Sequence, residues 1–166
     1  MERFDYIIVG AGSAGCILAN RLTASGQYTV CLLEAGPPDW NPFIHIPAGF
    51  IKTLENPRIN WMSQSESSHW TAGRTIEVPR GKTLGGSSSI NGHIYNRGQR
   101  LDYDSWSQQG NSGWGYADVL PYFKRCERRI GQGDDAFRGR LGNLQVTDLQ
   151  YTHPLCEAFM DGAEEI

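Results

Sequence analysis

The sequence predicts an α/β fold. Three observations carry that reading: a strand, a helix and a second strand within about 30 residues of one another, a GAGSAG turn at the first strand–helix junction, and a second cluster of glycine and serine over residues 79–98. At 166 residues the chain is one domain, or one domain and the beginning of another. DYIIVG, with its apolar run from Tyr6 to Val9, reads as a short buried strand. SAGCILANRL follows as a helix with Ala14, Ile17, Leu18 and Leu22 on one face, stopping near Gly26. YTVCLLE is the second strand and ends at Glu34. A parallel pair joined through a helix crosses over right-handed.

The turn between Val9 and Ala14 has the spacing that a dinucleotide pyrophosphate needs. Gly10 permits a tight turn, Gly12 lets backbone approach the phosphates, and Gly15 lets helix and strand pack closely, while the helix N-terminus offers free N–H groups to the anion. Glu34 stands 19 positions past Gly15, where a carboxylate accepts hydrogen bonds from the adenosine ribose. That carboxylate would repel a 2′-phosphate, which disfavours NADP and leaves FAD and NAD.

From Ala35 to Arg80 the chain carries Pro37, Pro38, Pro42, Pro47, Pro57 and Pro79 and shows no sustained helical period, which predicts a long loop excursion. Trp40, Trp61 and Trp70 in this stretch either pack on a flavin or pin the loop to the core. Residues 79–98 read PRGKTLGGSSSINGHIYNRG. Closely spaced N–H groups and small hydroxyls suit a second part of a large cofactor, and Ile90, Ile94 and Tyr95 argue against a flexible serine linker.

Composition narrows the partners. Twenty glycines in 166 residues is about 12% against an average of about 7%. The net charge is −3 and the pI 5.8, with Arg125, Arg128, Arg129, Arg138 and Arg140 interleaved with Glu127, Asp134 and Asp135, which speaks against nucleic acid. No apolar run approaches the ~20 residues of a membrane span. Cys16, Cys31, Cys126 and Cys156 have no metal-type spacing. Cys16 and Cys31 lie in apolar runs and are expected as buried thiols of a cytoplasmic, reducing setting.

IIVGAGSAGCILANRL with LLEAG after it, and RGKTLGGSSSINGHIYNRGQRLDYDSW from Arg80, together resemble the glucose–methanol–choline (GMC) flavin oxidoreductases, particularly their choline-dehydrogenase-like alcohol dehydrogenase and oxidase branch. NPRINW, GNSGWGYADVLPYFKRCE and HPLCEAFMDGAEE extend the likeness over essentially the whole chain. The resemblance implies FAD as cofactor, with Gly10, Gly12, Ser13, Ala14 and Gly15 at the pyrophosphate, Glu34 and Ala35 at the adenosine ribose, and Gly86, Ser87, Asn91, Gly92 and Ile94 at the pyrophosphate, ribityl chain and flavin ring. Part of the family joins a histidine just before that asparagine covalently to the flavin. Isoleucine at position 90 implies non-covalent FAD.

The family reaction removes an alcohol proton with a histidine near the end of a much longer chain, while hydride passes to the flavin. His45, His69, His93 and His153 match neither that histidine nor its partner, so no catalytic residue and no metal ligand is assigned. His93 is expected to be a structural imidazole. Toward the C-terminus, ADVLPYFKRCERR predicts an amphipathic helix with Val119, Leu120, Tyr122 and Phe123 inward and a late start imposed by Pro121. GNLQV predicts a strand, and HPLCEAFMDGAEEI a helix that looks cut before its cap.

The resulting expectation is an FAD-binding, Rossmann-like βαβ portion over residues 1–140, with the beginning of a substrate domain at 141–166. The expected activity is oxidation of a small-molecule alcohol to an aldehyde, the rest of the polypeptide supplying the base and the pocket, with oxygen or another acceptor taking the electrons. An NAD-linked dehydrogenase and a non-catalytic nucleotide-binding module stay open as alternatives.

Overall fold

The structure is a computed structural model that describes residues 2–164. It divides into two compact units, one ending at Ile94 and the other beginning at Tyr95.

The first unit opens with β1 (Tyr6–Val9), α1 (Ser13–Thr23) and β2 (Val30–Leu33). The two strands pair in parallel from Tyr6 opposite Val30 to Val9 opposite Leu33, which is the α/β beginning expected from the sequence. Asp5 ties the entry of both strands: its carboxylate accepts from the Thr29 N–H (2.7 Å) and hydroxyl (2.8 Å), and its own N–H donates to the Thr29 carbonyl (3.0 Å). Gly26, at φ +70, lets the chain turn after α1.

The inward face of α1 differs from the expected one. Gly15 is its buried residue and Leu22 is half-buried, whereas Ala14, Ile17 and Leu18 are exposed. Helical periodicity marks which residues share a face; among the described residues, no layer covers that one. Cys16 is likewise exposed and Cys31 only half-buried, so the expectation of two buried thiols fails for the same reason. All four cysteines are free thiols.

After β2 come α2 (Pro42–His45), a 3₁₀ turn at Pro47–Gly49, α3 (Phe50–Leu54) and a two-residue antiparallel ladder, β3 (Ser63–Gln64) with β4 (Glu77–Val78). A small apolar core of Ile44, Ile59 and Ile90, with Leu54 against it, gathers these pieces. Trp40 and Trp70 do not pin this stretch, since Trp70 is 92% exposed and Trp40 nearly as much. Trp61 carries the Lys82 ammonium 4.7 Å above its ring. The pin is Asn60, which is buried: its Nδ2 donates to the Leu54 carbonyl (2.6 Å) and its Oδ1 accepts from the Met62 (3.1 Å) and Arg80 (3.0 Å) N–H groups. One buried amide, donating one hydrogen bond and accepting two, thus replaces an aromatic anchor.

The second unit contains α4 (Arg100–Gln108), α5 (Tyr116–Cys126), β5 (Glu127–Arg129), β6 (Leu144–Val146) and α6 (Pro154–Glu164). β5 and β6 run parallel, with Glu127 opposite Leu144. α5 starts five residues before Pro121, against the late start expected, because Asp104 of α4 accepts the Tyr116 N–H (2.8 Å) and holds the first turn in place. Val119, Leu120 and Phe123 are half-buried; Tyr122 is exposed under the Arg125 guanidinium (5.2 Å) instead of facing inward. The Tyr103 ring contacts Phe123 edge-on, with centroids 5.5 Å apart. Among the described residues no helix is long and apolar enough to cross a membrane.

The Glu127 side chain is 0% exposed and is held by Arg97, by Arg138 Nη1 (3.3 Å) and by the Gly139 N–H (3.3 Å). Arg97 also donates to the Phe137 carbonyl (2.6 Å) and lies 5.2 Å from the Phe123 ring. Removing a buried carboxylate strands its cations, at a cost of about 3–5 kcal/mol. Glu127→Ala in the full-length protein is therefore expected to lower unfolding free energy by that amount in a denaturant titration, and a loss within error of zero would refute the assignment.

The Asp5 carboxyl is held below its ordinary value of 3.8, first by the Thr29 backbone N–H and then by its hydroxyl. A lowered folded-state value means the contact favours folding above pH 3.8 and is lost as the pH falls through the folded value. Asp5→Asn is expected to flatten the acid limb of melting temperature against pH while leaving the shape near neutrality unchanged.

Candidate functional site

Two glycine turns meet in the first unit. Gly10 has φ +97, a conformation that other L residues rarely adopt, and its N–H donates to the Leu33 carbonyl (2.7 Å). A Cβ on Gly15 would fall 1.9 Å from the Gly10 carbonyl oxygen, so α1 approaches β1 as closely as it does only because glycine stands there. The Cys16 N–H donates to the Gly12 carbonyl (2.9 Å). The N–H groups before it lie in the first helical turn, which has no intrahelical acceptor. Ser13 and Ala14 are exposed there, and the turn contains no acidic residue.

Glu34 joins this turn to the next segment. Its Oε2 accepts the N–H of buried Ala11 (2.8 Å) and its Oε1 the N–H of Gly36 (2.9 Å). Pro37, one residue on, accepts from the hydroxyl of buried Thr83 (2.8 Å) and from the Leu84 N–H (3.2 Å). The Gly85 N–H then returns to the Ala11 carbonyl (2.7 Å), and Gly12 and Gly85 form a parallel bridge. A Cβ on Gly86 would lie 2.8 Å from the Gly12 Cα, and one on Gly36 would lie 1.9 Å from the Lys82 carbonyl oxygen. The two turns and Glu34 are one closed hydrogen-bonded circuit.

The serines divide in role. Ser88 donates to the Gly85 carbonyl (2.5 Å) and Ser89 to the Leu84 carbonyl (2.7 Å), so both hydroxyls stabilise the 3₁₀ turn Gly86–Ser89. Ser87 Oγ instead accepts the Gly81 N–H (3.1 Å), which leaves its own proton to donate elsewhere. Beyond it Ile90 is buried in the apolar core, whereas Asn91, Gly92 and Ile94 are exposed, Ile94 at 87%. Asn91 Oδ1 accepts the His93 N–H (2.9 Å), and a Cβ on Gly92 would come 4.0 Å from Phe50.

Of the residues expected at the site, the circuit gathers Gly10, Gly12, Gly15, Glu34 and Gly86. Ser13 and Ala14 stand on its open side, Ala35 follows Glu34 as an exposed residue, and Ser87 leads to the separate Asn91–Ile94 stretch. Sequence reasoning missed Gly36, Asn60 and Thr83. The signal for Asn60 was present, a lone polar side chain between Ile59 and Trp61, but which backbone groups it serves depends on contacts 20 residues away. In the first unit His45 Nε2 meets the Asp39 carbonyl (2.6 Å) and His69 stacks edge-on with Trp70; in the second His153 Nδ1 accepts the Leu155 N–H (3.2 Å).

Chemically, the open first turn of α1 offers N–H donors and the positive end of the helix to an anion. Each Glu34 oxygen has accepted one N–H, and a carboxylate has about four lone-pair positions, so two remain for a diol. Gly12 also has room: a Cβ there would meet nothing nearer than the Gly86 Cα at 3.9 Å, so its bareness serves no contact inside the chain. These features fit a dinucleotide whose phosphates lie over Gly12 and Ser13.

An oxygen-dependent choline dehydrogenase of Vibrio vulnificus is 45% identical over 166 residues, 99% of this chain and 30% of that protein. An alcohol dehydrogenase [acceptor] of Pseudomonas putida is 45% identical over 98% of this chain and 29% of its own length. Among solved structures, pyridoxine 4-oxidase from Mesorbium loti superposes with a TM-score of 0.89 at 33% identity, covering 98% of this chain and 32% of that one. A formate oxidase superposes at 0.84 with 25% identity, over 95% and 29%. The chain thus spans about 30% of the length of the curated relatives it matches. The family model described as GMC oxidoreductase matches residues 4–166, and the chain belongs to that family.

Proposed function

We propose that this chain is the N-terminal, FAD-binding portion of an enzyme that oxidises an alcohol to an aldehyde. The observation that carries the proposal is the circuit through Glu34, Pro37 and Gly85, which holds two glycine turns together and leaves the first turn of α1 open beside a carboxylate with spare acceptor positions. When bound, FAD supplies the acceptor for the hydride leaving the alcohol carbon. Gly12, Ser13 and Ala14 bind the pyrophosphate, with Gly10 and Gly15 shaping the turn. Glu34 and Ala35 take the adenosine ribose. Gly86, Ser87, Asn91, Gly92 and Ile94 line the ribityl chain and the flavin ring, with Ser87 and Asn91 donating and Ile94 offering an apolar surface.

Ile90 supports non-covalent binding, since it has no nucleophilic atom and is turned into the core against Ile44 and Ile59. We assign residues 1–140 to the cofactor portion, a Rossmann-like βαβ unit with its loop excursion, and 141–166 to the beginning of the substrate portion. The base, most of the substrate pocket and the route to oxygen or another acceptor belong to the remainder of the polypeptide. Four free thiols support a reducing, cytoplasmic setting. The alcohol is a small molecule of the class named by the relatives, among them choline.

The visible spectrum of the purified full-length protein tests the cofactor. Flavin absorption that passes into the supernatant on acid precipitation is the expected result; a colourless protein that FAD does not reconstitute would overturn the proposal. Two substitutions test its placement. Glu34→Ala removes charge-assisted hydrogen bonds worth about 1.5–3 kcal/mol each, so the FAD dissociation constant should rise about tenfold or more. Gly12→Ala fits the protein itself, so the melting temperature of the apoprotein should hold while FAD binding weakens about tenfold, the cost of a methyl group forced into filled space. An unchanged FAD dissociation constant in the Gly12→Ala protein would remove the pyrophosphate from that turn.

A further inference from the structure

Among the described residues, three other than glycine have left-handed backbone: Met62, Ala72 and His93. His93 is the one within the second glycine segment, at φ +58, three residues after buried Ile90. Left-handed backbone is uncommon for non-glycine residues and several-fold enriched for Asn, Asp and His. Its consequence here is local: the His93 N–H turns back onto Asn91 Oδ1 at 2.9 Å. Because an N–H must meet an acceptor, that bond fixes which end of the Asn91 amide is oxygen and leaves both Nδ2 protons facing away from it. No described residue accepts from Nδ2, and Asn91 is exposed. The imidazole is held from the other side by the Phe50 ring, edge-on at a centroid separation of 6.5 Å.

We propose that His93 is a positioning residue: its left-handed backbone, not its imidazole chemistry, holds the Asn91 amide with Nδ2 outward as a donor to an acceptor oxygen of the bound cofactor. This rests on the FAD reading above. It explains why a residue with an exposed side chain adopts a costly backbone conformation. Ile90 anchors one end of the segment in the core, Phe50 steadies the other, and the bond from His93 to Asn91 sets the direction of the amide between them. A chain that had to find this conformation on binding would have its apparent affinity reduced by the fraction of molecules already in it.

The test compares FAD dissociation constants of the full-length protein and its variants, with the apoprotein melting temperature measured in parallel. His93→Val places a β-branched residue where left-handed backbone is strongly disfavoured and should raise the FAD dissociation constant about tenfold at little change in melting temperature. His93→Gly and His93→Asn accept the left-handed conformation and should stay within about threefold of wild type. Asn91→Asp keeps the acceptor for the His93 N–H but loses both donors, and should weaken binding about tenfold or more. If His93→Gly loses as much affinity as His93→Val, the imidazole itself is the contact and the proposal falls. Asn91→Asp binding FAD like wild type would also overturn it, while wild-type flavin content would still stand as support for the FAD reading. A wild-type protein that takes up no FAD would overturn both.

Discussion

The first unit depends on one close approach, that of Gly86 to Gly12. Their backbones are near enough that a single methyl on Gly86 would overlap the Gly12 Cα, and the N–H of the preceding Gly85 closes onto the Ala11 carbonyl. Everything else in the circuit follows from making that approach possible. Glu34 fixes the first turn by its Ala11 bond and the following segment by its Gly36 bond, and Thr83 ties that segment to the second turn. Glycine clusters in these two segments because two stretches of backbone are brought together with no side chain between them, and because they also turn left-handed at Gly10, Gly85 and Gly86. Glu34 then has two tasks. It sets the shape of the first turn through the Ala11 and Gly36 N–H groups and still keeps acceptor positions open, which is what the proposed ribose contact requires.

The second unit is held by a different principle. Glu127 is buried where an apolar residue would cost less to desolvate, and it is retained with two arginines and a backbone N–H around it. Arg97 serves three surroundings at once: the carboxylate, the Phe137 carbonyl and the Phe123 ring. Planar, permanently charged guanidinium suits that combination, where lysine would supply one charge and no face. The loop from Gly131 to Arg140 is likewise arranged around cations, with Arg140 donating to the carbonyls of Arg129 (3.1 Å), Gly131 (2.9 Å) and Gly133 (2.8 Å). The second unit also uses glycine at close backbone approaches, a Cβ on Gly139 falling 1.9 Å from the Lys124 carbonyl oxygen, but adds to them directed hydrogen bonds from arginine.

What was legible in the sequence was what local chemistry decides. β1, α1 and β2 could be placed from Tyr6 to Leu33 because apolar runs, a glycine turn and a break at Gly26 are all short-range signals. The roles of Gly10 and Gly15 could be read because the spacing alone demands a tight turn and close helix–strand packing. β5 could not: GluArgArg reads as the polar end of a helix, and it is a strand only because the chain returns at Leu144–Val146 to pair with it. α4 carries acids and serines through its length and shows its start only in the bond from the Gln99 N–H to Asp102 (2.7 Å). Of the two roles open to the tryptophans, the structure excludes pinning for Trp40 and Trp70. Aromatic character says that burial is favourable, but not that a given loop delivers it.

The exposed apolar residues bear on what this part of the protein is for. Ile7 and Val9 of β1, Ile17 and Leu18 of α1 and Ile94 after the second turn are all uncovered among the described residues. Apolar positions on a parallel strand and on its crossover helix are those that an α/β sheet buries on both faces. A two-stranded sheet has little stability of its own, so burial of these positions by further layers and by cofactor is where the missing free energy lies. The glycine circuit is different, because its hydrogen bonds, from backbone and from the Glu34 and Thr83 side chains, close within residues 11–85. Ile94 lies uncovered three residues after Asn91, so the amide set by the His93 N–H and an open apolar side chain adjoin at the end of the second glycine segment.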